Sequence, residues 1–170
     1  MDINKFAVIK ASANVPRRPT AIIGKNQQLW DLGMNHVDME TTTKVDEKIR
    51  QLDSQLHLVL VAEYFDESLV RIARLMCWDL TDVRYLKQNA RKSEKVSNIK
   101  QSSRDLLTNW LKSDFKLYKH FVNKLETLMD KYGRDKMAND VATLRSLNED
   151  LRRDCVLEVA DNSKLKGEFK

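Results

Sequence analysis

Glycine and proline are scarce: four glycines and two prolines in 170 residues. None of the glycines sits in a loop whose backbone amides could cradle a phosphate. Two cysteines, Cys77 and Cys155, are too few for a zinc site without closely spaced histidines. His36, His57 and His120 are scattered, so no metal is expected. In a reducing compartment both thiols would be buried small hydrophobes; in an oxidising lumen they could form one disulfide. No apolar run approaches the ~20 residues of a membrane span. Met1-Asp-Ile-Asn-Lys has no signal-peptide core, and no Asn-x-Ser/Thr acceptor occurs. As written, the chain would stay in the cytosol unless an anchor precedes it.

What is present is an ordinary soluble composition, 42% hydrophobic and 32% charged. One domain with a real core is within reach at this length. The net charge of +5 suits an anionic ligand or an acidic membrane surface. It equally suits Lys and Arg solvating helix faces. Basic residues are spread among acids, without the aromatic-interleaved stripe of a nucleic-acid binder.

Along the chain, residues 1–40 read as an irregular lead-in that includes Pro16-Arg17-Arg18-Pro19. Thr41 to Thr43 offer N-caps for an amphipathic helix marked by Val45, Ile49, Leu52 and Leu56. Thr81 can cap a short helix through Leu86. Lys87 to Ser103 is polar and aperiodic, an exposed loop. Leu106, Leu107, Trp110 and Leu111 make one apolar face. Ser113 caps a further helix, striped by Phe115, Tyr118, Val122, Leu125, Leu128, Met129 and Tyr132. Gly133 is a natural C′ residue. Met137, Val141, Leu144, Leu147 and Leu151 mark the last helix, expected to fold back as an antiparallel hairpin. Residues 41–157 form the main body and 158–170 a polar tail.

The densest signal lies between these elements. Leu58 to Ala62 is an unbroken apolar run, which reads as a strand buried on both faces of a parallel sheet. A helix start follows at once: Asp66 as N-cap, Phe65 and Val70 as a hydrophobic staple, Glu67 in the first turn. Ligands sit at the carboxyl ends of such strands, so Glu63 to Ser68 lies where chemistry is expected.

The run Leu58-Val-Leu-Val-Ala-Glu63-Tyr-Phe-Asp-Glu-Ser-Leu69, with Cys77-Trp78-Asp79-Leu80 and Asn89-Ala-Arg91, resembles the galactose 3-O-sulfotransferase family. Further matches are Trp30-Asp31-Leu32-Gly33, Leu117-Tyr118-Lys119-His120-Phe121, Arg134-Asp-Lys-Met137-Ala, Val141-Ala142 and Leu144-Arg145. The similarity covers roughly residues 25 to 157 and only the C-terminal half of such an enzyme. It implies a helix-rich α/β fold: part of a P-loop-like sulfotransferase, with one buried parallel-type strand and a C-terminal helical hairpin. It implies transfer of sulfate from 3′-phosphoadenosine 5′-phosphosulfate to the 3-hydroxyl of galactose in a glycolipid such as galactosylceramide, or in a glycan. It also implies a Golgi membrane address, luminal side, through an anchor that this chain lacks. The family's donor-binding elements find no match here. The chain is therefore expected to be an incomplete, inactive piece, or else a non-catalytic helical scaffold derived from the family.

Three residues are the expected acceptor contacts. Glu63 could orient a sugar hydroxyl, or simply cap its turn or pair with Arg. Asn89 could hold a sugar hydroxyl, and Arg91 a sulfate or phosphate bidentately; both could equally anchor their own loop. Trp78 reads as core and Trp30 as more open. His120 reads as a surface or boundary residue. His36, in a loop, could act as acid or base, but the family's base lies upstream of every match, so no catalytic residue is assigned.

Overall fold

The computed structural model describes residues 24–87 and 99–156. Seven α-helices follow one another: α1 (Gln27–Asp31), α2 (His36–Met39), α3 (Thr42–Gln55), α4 (Phe65–Leu75), α5 (Gln101–Trp110), α6 (Lys112–Tyr132) and α7 (Arg134–Cys155). Short 3-10 segments lie at Ala62–Tyr64 and Leu80–Val83. The chain divides into two compact units: residues 24–59 with 99–126, and residues 60–87 with 127–156. The lead-in therefore holds two short helices, α1 and α2, that the sequence did not announce.

In the first unit α3 forms where the spacing predicted. Thr41 is its N-cap, and Val45, Ile49 and Leu52 are buried. They pack with Leu29, Met34 and Met39 from the lead-in and with Leu117 and Phe121 of α6. The buried face of α6 is the expected one only in part: Leu125 and Met129 of the expected stripe are buried, but its N-terminal members are not. Leu117, Phe121 and Leu125 recur at helical spacing and are buried, whereas Phe115 and Tyr118 are 41% and 37% exposed. This helix is apolar on two flanks, and hydrophobicity alone does not say which one meets the core. Phe115, Tyr118 and Val122, with Lys112, Lys116 and Lys119, line a shallow groove of about 470 Å³.

Ser113 does not cap α6, which begins at Lys112. Its buried hydroxyl donates to the Met39 carbonyl, 2.8 Å away. Asp114 accepts from the amides of Gln28 and Leu29, 3.0 Å each, and so caps α1 from 85 residues away in sequence.

In the second unit α7 packs on α4 and on Leu80–Val83. Val70 and Ala73 of α4 and Met137, Val141 and Leu144 of α7 are buried there. Gly133 joins α6 and α7 with φ 96 and ψ 118, outside the αL geometry of a tight reversal.

The expected buried strand is also absent: the described residues contain no β-strand. Leu58 to Val61 is extended but has no ladder partner among them, and a lone strand cannot satisfy its amides. The Val61 amide turns instead to the Ser68 hydroxyl at 3.2 Å. Leu60 is 44% exposed, which no central strand residue would be.

Helix α4 ends in a left-handed turn. Cys77 has φ 57, the Trp78 amide bonds the Ala73 carbonyl at 2.8 Å, and the Cys77 amide reaches Arg74 at 3.5 Å. This is a Schellman motif with cysteine where glycine is usual. Cys77 and Trp78 therefore lie exposed rather than in the core, and both cysteines are free and exposed.

Candidate functional site

Glu63 lies in the 3-10 turn between the extended segment and α4. It is exposed, and no hydrogen bond or ion pair holds it among the described residues. No described arginine pairs with it. Its oxygens are available to accept from a hydroxyl.

Asp66 has another role than the N-cap expected for it. The helix starts two residues earlier, at Phe65, with Tyr64 in the cap position. From the first turn Asp66 accepts from the Tyr85 hydroxyl and from Arg145 Nε, 2.7 Å each. Its side chain is only 12% exposed, so both contacts are sheltered on the acid's side. The Tyr85 amide bonds Asn148 at 2.9 Å, and its ring meets Phe65 edge-on, centroids 5.0 Å apart. Burial, with the hydrogen bond and negative charge of Asp66, pushes the Tyr85 phenol up to about 12. Asp66 is thus fully used in tying the start of α4 to residue 85 and to α7. It is not a free base.

Asn89 and Arg91 lie outside the described residues. The chain between Tyr85 and that segment is short, and Tyr85 is pinned to α4 through Asp66 and to α7 through Asn148. Tyr85 and Arg145 are the residues that sequence reasoning passed over. Arg145 stood inside a quoted motif and Tyr85 in the short helix expected from Thr81, but 79 residues separate Asp66 from Arg145, and no local pattern joins them.

Of the other candidates, Trp30 stacks on His36 with centroids 4.4 Å apart, so this histidine is held by an aromatic face. His120 Nε2 lies 3.4 Å from Asp53, which also pairs with Lys124. Among the described residues no three His, Cys, Asp or Glu side chains converge as a metal site. No helix there is long and apolar enough to cross a membrane. A Cβ added at Gly33 would meet Lys48 Nζ at 4.0 Å, one at Gly133 would meet Lys136 Cβ at 3.8 Å, and one at Gly24 would meet Gln27 Oε1 at 3.2 Å.

Comparison with known proteins gives the geometry a context. The galactose-3-O-sulfotransferase family profile matches residues 11–167. Mouse galactosylceramide sulfotransferase is 39% identical over 132 residues, 78% of this chain and 31% of the relative. Human galactose-3-O-sulfotransferase 4 is 36% identical over 130 residues, 71% of this chain and 27% of the relative. Mouse galactose-3-O-sulfotransferase 3 is 34% identical over 146 residues, 82% and 33% respectively. The chain spans about a third of the length of these relatives. No solved structure matches it.

Proposed function

Because the chain belongs to the galactose-3-O-sulfotransferase family, we propose that it forms the acceptor side of a sulfotransferase acting on the 3-hydroxyl of a terminal galactose. The donor would be 3′-phosphoadenosine 5′-phosphosulfate, and the acceptor a glycolipid such as galactosylceramide or a galactose-terminated glycan. A Golgi lumenal address goes with that reading. The observation that carries it is the 39% identity to mouse galactosylceramide sulfotransferase over 132 residues.

Sulfuryl transfer needs a base for the acceptor proton and cations for the transferring group and leaving phosphate. The family's donor-binding elements find no match in this sequence, so neither task is assigned to its residues. What this chain offers is acceptor recognition. Glu63, exposed and without a partner among the described residues, would accept from a galactose hydroxyl. Asn89 and Arg91 follow the tyrosine that Asp66 anchors, and they would supply an amide for the sugar and a bidentate cation for a sulfate. Leu58 to Ala62 would take up its strand pairing in the complete family domain.

The test is saturation-transfer NMR of the 170-residue chain with methyl β-galactoside and methyl β-glucoside. The reading expects saturable, galactose-selective contact that Glu63→Gln and Arg91→Ala each weaken by about tenfold or more. Equal contact with both sugars, or no change in either variant, contradicts it.

A further inference from the structure

We propose that Arg71, Arg74 and Lys136, gathered around Tyr132 in the second unit, form a binding site for a single sulfate or phosphate group. Arg71 and Arg74 are three residues apart on α4, on neighbouring turns of one flank. Tyr132 closes α6, and Lys136 and Asp140 lie one turn apart on α7. The Arg71 guanidinium sits 5.5 Å from the Tyr132 ring centroid and Lys136 Nζ 4.7 Å from it. Arg74 Nε donates to the Tyr132 hydroxyl, and its Nη2 to Asp140, each at 3.0 Å. Tyr132 in turn donates to the same Asp140 oxygen.

The bonding is uneven. Arg74 and Tyr132 both bond Oδ2 of Asp140, and Lys136 adds only its charge there. Burial raises the Asp140 pKa, but the hydrogen bonds from Tyr132 and Arg74 and the charges of Arg74 and Lys136 outweigh it, so the acid stays ionised. Neither Arg71 nor Lys136 receives a hydrogen-bond acceptor from it. Arg71 Nε is buried with no hydrogen-bond partner among the described residues. A buried N–H without an acceptor is rare in folded proteins and calls for one. The Tyr132 π-face attracts both free cations but accepts no full hydrogen bond from them. A tetrahedral oxyanion supplies what is missing: oxygens for a guanidinium edge and for an ammonium, and charge to balance the surplus. A carboxylate ligand would satisfy fewer donors. The group could come from a sulfated sugar or from a nucleotide phosphate, since both present the same oxygens.

The experiment is an NMR titration of the 170-residue chain at constant ionic strength, following the arginine Nε–H signals. The ligands are sodium sulfate, galactose 3-sulfate and adenosine 3′,5′-bisphosphate, with sodium chloride as the screening control. One saturable site is expected, with the Arg71 Nε–H signal moving most. Arg71→Gln and Lys136→Gln should each raise Kd about tenfold. Lys136 is exposed, so its variant should keep the parent melting temperature and hold the test even if Arg71→Gln folds poorly. Tighter binding of the sulfated sugar, or of the bisphosphate, supports the site and identifies its source. Shifts that fail to saturate and follow chloride as well, or a Kd unchanged in Lys136→Gln, overturn it. Galactoside binding at Glu63 is read separately, so the two assignments can fail independently.

Discussion

Asp114 and Leu29, 85 residues apart, are joined by a carboxylate-to-amide hydrogen bond of 3.0 Å inside the first unit. A second bond from Gln28 completes the cap, and the Asn26 side chain accepts from the Asp114 amide at 3.2 Å. Helix α1 has only five residues and no cap of its own, so its place depends on this acid.

Replacing Asp114 by Ala should therefore cost about 1–3 kcal/mol, because two sheltered donors lose their acceptor. Urea denaturation of the chain measures it. Asp114→Asn, which keeps one acceptor oxygen, should cost less. Burial, opposed by these two amides, raises the Asp114 pKa. Its contribution is thus largest below the unfolded value of 3.8 and falls as pH rises through the folded value. Asp114→Asn should weaken the chain less at pH 7 than at pH 3.

Leu144 is fully buried and Leu60 is 44% exposed. Leu144→Ala should cost about 2–5 kcal/mol, as a cavity-forming change does. Leu60→Ala should stay within about 1 kcal/mol in this chain, in contrast to what a central strand would show. Thermal melts of the two variants side by side decide between an unpaired segment and a buried strand.

Cys77 occupies the left-handed C′ position of α4 with φ 57. Cysteine carries a Cβ penalty there that glycine does not. Cys77→Gly should leave the fold intact and stabilise it by about 0.5–1 kcal/mol. A loss of stability would show that the thiol makes contacts worth more than the strain.

How far the sequence reaches depends on the range of the interaction. Helix α3 was legible because Thr41 and the Val45, Ile49, Leu52 spacing are local signals that agree with each other. Helix α6 was legible as a helix and Leu125 and Met129 as part of its buried face, but its first half was not, since Phe115 and Leu117 are equally apolar and only tertiary packing chooses between them. Leu58 to Ala62 misled because composition reports the burial a segment can have, whereas a strand needs a partner. Asp66 looked like a cap because caps are local, and its real partners, Tyr85 and Arg145, come from far along the chain. At the candidate site the sequence put Glu63 at the end of a strand, where the structure has a 3-10 turn, and said nothing of the Asp66 anchor beside it.

Tyr85 gives that anchor a spectroscopic handle. Its phenol is pushed up to about 12 by burial and by Asp66, so its stabilising effect is complete below pH 10 and is lost as pH rises toward 12. Ultraviolet titration of the folded chain should show one tyrosine ionising later than an unperturbed phenol, and Tyr85→Phe should remove that component. Asp66→Asn should bring the transition back toward 10. An unchanged late component in Tyr85→Phe would refute the assignment.

The most direct test of the central claim is a segment exchange. The 132 matched residues of mouse galactosylceramide sulfotransferase are replaced by their counterparts here, and sulfation of galactosylceramide by the purified chimera is measured with the position of the sulfate on the sugar. The account predicts transfer to the galactose 3-hydroxyl, with Arg91→Ala lowering kcat/KM by about 10- to 150-fold at an unchanged melting temperature. A folded chimera that binds donor but sulfates no galactoside would contradict it.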